Sequence, residues 1–342
     1  MDPIVSAGCS AMSWRTEEGL HLWGRTFDFH CLPPDTRITH LPRGTAYRLC
    51  DSPAAPAQTA AYAAMGTGLL LPALPAPALY EGINDQGLMG GQLYYRTFAH
   101  YPAEARPGTL ALQPPLLVYH LLAKCASVEE AVRTLEEEIT PVSLPLLGSV
   151  PPLHWAFTDR SGETVIVEPD QEGLRIYRRT VGVMTNSPGY SWHRLNLLNY
   201  AGARDLEHLP PDLEDCPASC FSASGSQSLP GGWTSPARFV RLAFLRRYAL
   251  RGAGETDGVA RMFRLFQSAA FPLGIARLEE EGHAWDYTVY TSVMCAETRR
   301  FYWTTHENQR IQVAELDALA GRTAPVQLEL GREADFAVRT PR

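Results

Sequence analysis

Apolar and polar positions alternate with a period of two at the start of the chain. Residues 10–15 (SAMSWR) read as a strand, Glu17-Glu18-Gly19 as a turn, and the stretch from Leu20 (LHLWGRTFDF) as a second strand, so the opening is a hairpin. Residues 68–80 form an apolar loop punctuated by Pro72, Pro75 and Pro77, and residues 81–95 (EGINDQGLMGGQLYY) carry two turn signals around a short strand. Between 115 and 138 the spacing becomes helical, in two pieces. The second piece opens on Ser127-Val128-Glu129-Glu130, where a hydroxyl residue is followed three positions later by an acid, a capping-box pattern. Strands follow at 153–159 and 163–169, joined at Ser161-Gly162, and again near 173–178; a helix covers 190–200. After a Pro-, Ser- and Gly-rich loop at 201–234, Ser235 is expected to cap a helix over 236–250, with Pro236 at its first position. A helix near 257–268 precedes strands at 285–294, 300–305 and 310–314. Strands at both ends with helices between them predict α+β layers. No repeat or linker divides the chain, so we expect one domain.

Composition narrows the picture. With 45% apolar and 10% aromatic positions in 342 residues, the chain can fill a sizeable core and is not a disordered one. A net charge of -7 argues against a nucleic-acid partner. The apolar run at 68–80 is broken by its prolines and no run reaches the length of a membrane span, so no membrane partner is expected. Seven cysteines, an odd number, and a first octad (MDPIVSAG) without basic or apolar signal regions fit free thiols and a cytoplasmic setting.

Cys9 is the first chemical candidate. A thiol at its ordinary pKa of about 8.5 is a weak nucleophile. Cutting the Gly8–Cys9 bond would give it an α-amine with a pKa near 7.7–8.0, so that one residue supplies nucleophile and base. On residue type alone, a small buried hydrophobe is the commoner use of a free cysteine. Arg25 and Asp28, three apart, point to opposite faces of a straight strand; a bulge near Thr26-Phe27 would bring them together, and the plainer reading is a surface ion pair. Asn84 and Asn186 sit in turn contexts, Gly-Ile-Asn-Asp and Thr-Asn-Ser-Pro. Turn chemistry explains both, while an amide donor for an oxyanion is the functional alternative for Asn186. Arg238 opens a helix against the local dipole, which points to a specific anionic partner, whereas Arg241, Arg246 and Arg247 are read as solvated. Cys216 and Cys220 lack a second ligand pair, and neither metal nor cofactor motifs occur, so no metal and no cofactor is expected. Gly90-Gly91-Gln92 is too weak a signal for phosphate binding.

Taken together, Cys9 followed by EEGLHLWGRTFD (17–28), AAMGTG (63–68), YEGINDQGL (80–88), MTNSPGYSWHRLNLLNY (184–200), LPGGWTSPARFVRLAFL (229–245), DYTVYTSVMC (286–295) and THENQRI (305–311) resemble the choloylglycine hydrolase family, N-terminal-nucleophile hydrolases that include bile-salt hydrolases and penicillin V acylases. The resemblance implies a four-layer αββα sandwich, two antiparallel sheets between helical layers. It implies that Cys9 is the nucleophile, released by proteolysis of residues 1–8, with residues 9–342 as the hydrolase domain. Arg25 and Asp28 match the pair beside the nucleophile, Asn186 the side-chain oxyanion donor, Tyr94 the main-chain donor and Arg238 the remaining active-site arginine. Tyr at position 94 resembles the penicillin V acylases, and the greasy 68–80 loop suits an aromatic or long aliphatic acyl group. The resemblance thus implies a penicillin V acylase-like amidase, with bile-salt hydrolase or N-acyl homoserine lactone acylase as the alternative. A small N-acyl amide is the expected partner, and the family's assembly implies a homotetramer.

Overall fold

The computed structural model describes residues 8–208, 215, 222–278 and 284–340. The alternation at the start becomes a long hairpin: β1 (Gly8–Arg15) pairs antiparallel with β2 (His21–Phe29), in unbroken register from Gly8 opposite Asp28 to Arg15 opposite His21. Around this hairpin one sheet forms in the order 183–184, β1, β2, 285–295, 300–305, 312–315. The second sheet runs 173–177, 164–170, 153–158, 89–94, 78–84, 64–69, 37–41, 326–328, and its ladders are antiparallel.

Helices cover the outer face of each sheet. On the second sheet lie α1 (Leu117–Lys124) and α2 (Val128–Glu137), burying Leu117, Leu121, Ala131 and Leu135 in one cluster with Leu79, Trp155, Phe157 and Val165. After α3 (Tyr190–Asn196), the helices α4 (Ser235–Tyr248) and α5 (Glu255–Phe266) bury Phe239, Leu242, Val259 and Met262 with Met12 and Leu22 of the first sheet. The layers are therefore helix, sheet, sheet, helix, the αββα sandwich the resemblance implies. Burial is what stabilises this arrangement: each fully buried Leu or Phe contributes roughly 1.5–3 kcal/mol. The sheets approach closely where Gly91 faces Trp23, since a Cβ at Gly91 would lie 2.8 Å from the Trp23 ring and 2.7 Å from the Glu81 Cβ.

Local signals held in most places. The Ser127 hydroxyl accepts from the Glu130 N–H and caps α2, while the Glu130 carboxylate accepts from the Ala126 N–H. Asn84 is buried turn chemistry, its Oδ1 accepting from Gln86 and Leu88 N–H and its Nδ2 donating to Leu122 and Cys125 carbonyls. Two expectations need correction. The N-cap of α4 is Thr234, with Ser235 inside the first turn and its hydroxyl turned to a neighbouring loop. Arg241 and Arg246 are not solvated: Arg241 donates to the Pro230 and Ser268 carbonyls and Arg246 to the Ser13 carbonyl, because loop and strand ends beside α4 present carbonyls that no strand satisfies. Cys216 and Cys220 lie outside the described residues. Among the described residues no helix is long and apolar enough to cross a membrane.

Candidate active site

The β1–β2 register decides which groups can meet. Paired residues share a face, and faces alternate along a strand. Cys9 with Phe27 and Ala11 with Arg25 face the second sheet; Gly8 with Asp28 and Ser10 with Thr26 face α4 and α5. Arg25 and Asp28 thus do lie on opposite faces. The bulge weighed at Thr26-Phe27 is absent from β2; the irregularity falls on the partner strand, between Thr288 and Tyr290.

On the inner face, the Arg25 guanidinium is buried and its donors are spread over four partners. Nη2 reaches the Cys9 Sγ at 2.7 Å, Nη1 donates to the Gln92 carbonyl at 2.7 Å and reaches Glu81 Oε2 at 3.4 Å, and Nε donates to the Thr26 carbonyl. Burial pushes the Cys9 thiol up, and the positive charges of Arg25 and Arg238 pull it back. This is no surface ion pair.

On the outer face, Asp28 accepts from the Thr26 hydroxyl at 3.0 Å and from the Thr288 hydroxyl at 2.6 Å. Burial raises its carboxyl to about 6 against the pull of Arg238 and the two hydroxyls. Arg238, from the first turn of α4, is 2% exposed. Its partners are the Cys9 and Trp233 carbonyls, the Ser10 hydroxyl and Asn186 Oδ1, with the Phe271 ring 5.2 Å below the guanidinium. The anion answering its charge is Asp28.

Asn186 closes the end of β1. Its Oδ1 accepts from the Cys9 main-chain nitrogen at 2.8 Å and from Arg238 Nη2, while Nδ2 donates to the Tyr94 carbonyl at 2.9 Å. Two donors on Oδ1 fix the amide orientation and aim Nδ2 toward Tyr94. The loop itself is anchored from below. The Ser235 hydroxyl accepts from the Asn186 N–H at 3.0 Å and lies 2.9 Å from the Thr185 hydroxyl, and His193 Nε2 reaches the Asn186 carbonyl at 2.9 Å. Burial lowers His193 to about 4, so the ring is neutral at pH 7 and its Nε2 carries the proton that bonds the carbonyl. Tyr94 sits opposite Leu153, and the next residue, Tyr95, donates its N–H to the Pro152 carbonyl. The Tyr94 N–H therefore points the other way, past the end of the ladder that joins Glu81 to Gly91.

Beside the thiol opens a cavity of about 280 Å³. Phe27, Phe29, Tyr80 and Tyr94 supply aromatic walls, Leu69 and Ala78 enter from the ends of the strands 64–69 and 78–84, and Leu74 from the Pro-punctuated loop, which is shorter than the 68–80 expected. A larger cleft, about 420 Å³, lies between α5 and the strands 285–295 and 300–305, but Cys9 does not line it. Among the described residues no group of three or more His, Cys, Asp or Glu is placed to hold a metal ion.

A thiol, two guanidiniums, a carboxyl and an aimed amide converge on one residue at a strand end. The sequence profile of the linear amide C–N hydrolases, choloylglycine hydrolase family, matches residues 9–320. The chain belongs to the choloylglycine hydrolase family. It is accordingly an amide hydrolase acting on linear C–N bonds. A bile salt hydrolase/transferase from Clostridium perfringens (strain 13 / Type A) is 30% identical over 312 residues, covering 90% of this chain and 92% of that one. A penicillin V acylase from Pectobacterium atrosepticum is 25% identical over 213 residues, 57% of this chain and 50% of that one. Among solved structures, a mutant of the conjugated bile acid hydrolase from Clostridium perfringens superposes with a TM-score of 0.87 at 27% identity, covering 97% of this chain and 100% of that one. The penicillin V acylase of Agrobacterium tumefaciens shares the fold, with a TM-score of 0.74 at 20% identity over 94% of this chain and 92% of that one. Similarity thus runs higher toward bile salt hydrolases, and the acylase-like expectation drawn from Tyr94 gains no specific backing from it.

The sequence reading missed Glu81, Gln92, Thr26, Thr288, Ser10, Ser235 and His193, each now touching a candidate residue or its loop. Most carried no local signal, because each meets its partner across a sheet or between layers. Ser235 carried a misleading one, a hydroxyl just ahead of a helical proline.

Proposed function

We propose that Cys9 is the nucleophile of this amide hydrolase once residues 1–8 are removed, with residues 9–342 forming a single catalytic domain. The observation that carries the reading is the division at Cys9: its Sγ lies 2.7 Å from Arg25 in the inner cavity, while its nitrogen, at the end of β1, lies 2.8 Å from Asn186 Oδ1. Removal of the leader turns that nitrogen into an α-amine beside Asp28 and Asn186. The amine takes the thiol proton as Sγ attacks the amide carbonyl. Asn186 Nδ2 and the Tyr94 N–H hold the oxyanion; one such donor is worth about 2.7–4 kcal/mol. The protonated amine then gives its proton to the leaving nitrogen, the acyl group stays on sulfur as a thioester, and water activated by the same amine releases the acid. Arg25 steadies the thiolate, and Arg238 fixes the Cys9 carbonyl and Asn186.

The acyl group is apolar, as the aromatic and leucine-lined cavity supports. At roughly 30 Å³ per water, 280 Å³ corresponds to about nine water volumes. That suits a phenoxyacetyl group or a medium aliphatic chain, the penicillin V acylase-like reading. Bile-salt hydrolysis is the second reading, favoured by the 30% identity to the Clostridium perfringens enzyme. Initial rates on penicillin V, glycocholate and a long-chain N-acyl homoserine lactone separate the two. Intact mass should show a chain beginning at Cys9, and Cys9→Ala should abolish turnover. Full activity with residues 1–8 still attached would refute the mechanism.

A further inference from the structure

Arg25 has a second acidic partner that the mechanism leaves without a role. Glu81 stands on the strand Ala78–Asn84 of the second sheet and is completely buried. Its Oε2 lies 3.4 Å from Arg25 Nη1, and the Tyr290 hydroxyl donates to both carboxyl oxygens at 3.0 Å. One planar guanidinium is thus shared between a carboxyl on Nη1 and the Cys9 thiol on Nη2. Both carboxyl oxygens act as acceptors here, a role that an amide of the same length, with one oxygen and a donor NH2, fills only in part.

We infer that Glu81 is a positioning residue which anchors the Arg25 fork across the two sheets and divides its positive field with Cys9, so that the ionisation of the thiol depends on the charge of Glu81. This rests on the reading of Cys9 as nucleophile. The groups in electrical contact are few. Cys9 faces Arg25, Arg238 and Asp28; Glu81 faces Arg25, Tyr290 and the hydroxyls of Thr67 and Ser292; Tyr290 also faces Tyr80. The coupling has a definite sign. An anionic Glu81 draws on the same cation as the thiolate, so removing its charge leaves the whole field of Arg25 to sulfur and makes the thiol more acidic.

The test compares the wild-type chain with Glu81→Gln. The rate of Cys9 alkylation by iodoacetamide, followed by peptide mass spectrometry from pH 5 to 10, gives the thiol pKa. Glu81→Gln should lower it by about one pH unit, and the acid limb of kcat/KM should move by the same amount with KM unchanged. Tyr290→Phe serves where Glu81→Gln does not fold. Burial already raises the Glu81 carboxyl, and loss of the Tyr290 hydroxyl, which favours the carboxylate, raises it further, so the Cys9 pKa should again fall. An alkylation pKa that is unmoved or raised in the variant overturns the inference. A Cys9 that alkylates normally while Cys9→Ala retains turnover would sink the nucleophile reading instead, so the two failures are distinguishable.

Discussion

Asp28 offers a test in which stability and pH are linked with a definite sign. Its carboxyl is fully buried, and burial lifts it from 3.8 to about 6 even though Arg238, Thr288 and Thr26 favour the anion. A carboxyl with a higher pKa in the folded state binds its proton more tightly there than in the unfolded chain. The folded state therefore loses stability as pH rises from about 3.8 to about 6, and the deficit is constant above that window. The displacement corresponds to about 3 kcal/mol. Asp28→Asn removes the titration. Asparagine keeps one oxygen acceptor for the Thr26 or Thr288 hydroxyl and loses the other, a cost of about 1–1.5 kcal/mol that does not vary with pH. Arg238 keeps its four oxygen acceptors. At pH 7.5 the variant should be more stable by about 1.5–2 kcal/mol, and at pH 3.5 less stable by about 1 kcal/mol. At on the order of 2 °C per kcal/mol, the difference in Tm should swing by about 6 °C across the window and change sign within it. The measurement is a series of thermal melts from pH 3.5 to 8, made in a Cys9→Ala background so that neither the thiol nor a released α-amine contributes. A Tm difference that stays constant over the series would show that Asp28 is not held at a raised pKa. On the proposed mechanism the same substitution should also cost turnover, because it removes the carboxyl charge near Cys9.

Asn186→Ala should lower kcat by about 10²–10³-fold in steady-state assays, and because it strands an Arg238 donor and the Tyr94 carbonyl it should also cost about 1–3 kcal/mol in thermal melts. Ser235→Ala removes the hydroxyl beneath Asn186; calorimetry should show a loss of about 1–3 kcal/mol and kinetics a fall in kcat with KM unchanged. Gly91→Ala places a methyl 2.7 Å from the Glu81 Cβ and 2.8 Å from Trp23, and urea melts should report a loss of about 1–3 kcal/mol.

Periodicity made most of the fold legible. The hairpin, the capped α2 and the strands at both chain ends lie where their patterns put them. The site was legible only through the assembled motifs. Cys9 on residue type was one thiol among seven, and Arg25 looked like half of a surface pair. Glu81 reads as a polar residue beside a turn; it is buried because Arg25, 56 positions earlier, meets it from the facing sheet, and no local pattern encodes that meeting. Gly90 and Gly91 are too weak a signal for phosphate binding in the sequence, and in the fold they are strand positions kept bare so that Phe157 and Trp23 can lie against the backbone. Ser235 deceived for a similar reason: its hydroxyl serves a loop about 50 residues upstream rather than its own helix.

β2 turns Arg25 and Asp28 to opposite faces, yet both line the cavity beside Cys9, while Leu69, Leu74 and Leu146 join that lining from other segments. On the proposed mechanism the acyl side of that lining can be redrawn, at Leu69 or Leu74 for example, without removing a hydrogen-bond partner of Asp28 or Arg238. Engineers seeking a new acyl preference can treat this scaffold as a fixed engine with an exchangeable fitting.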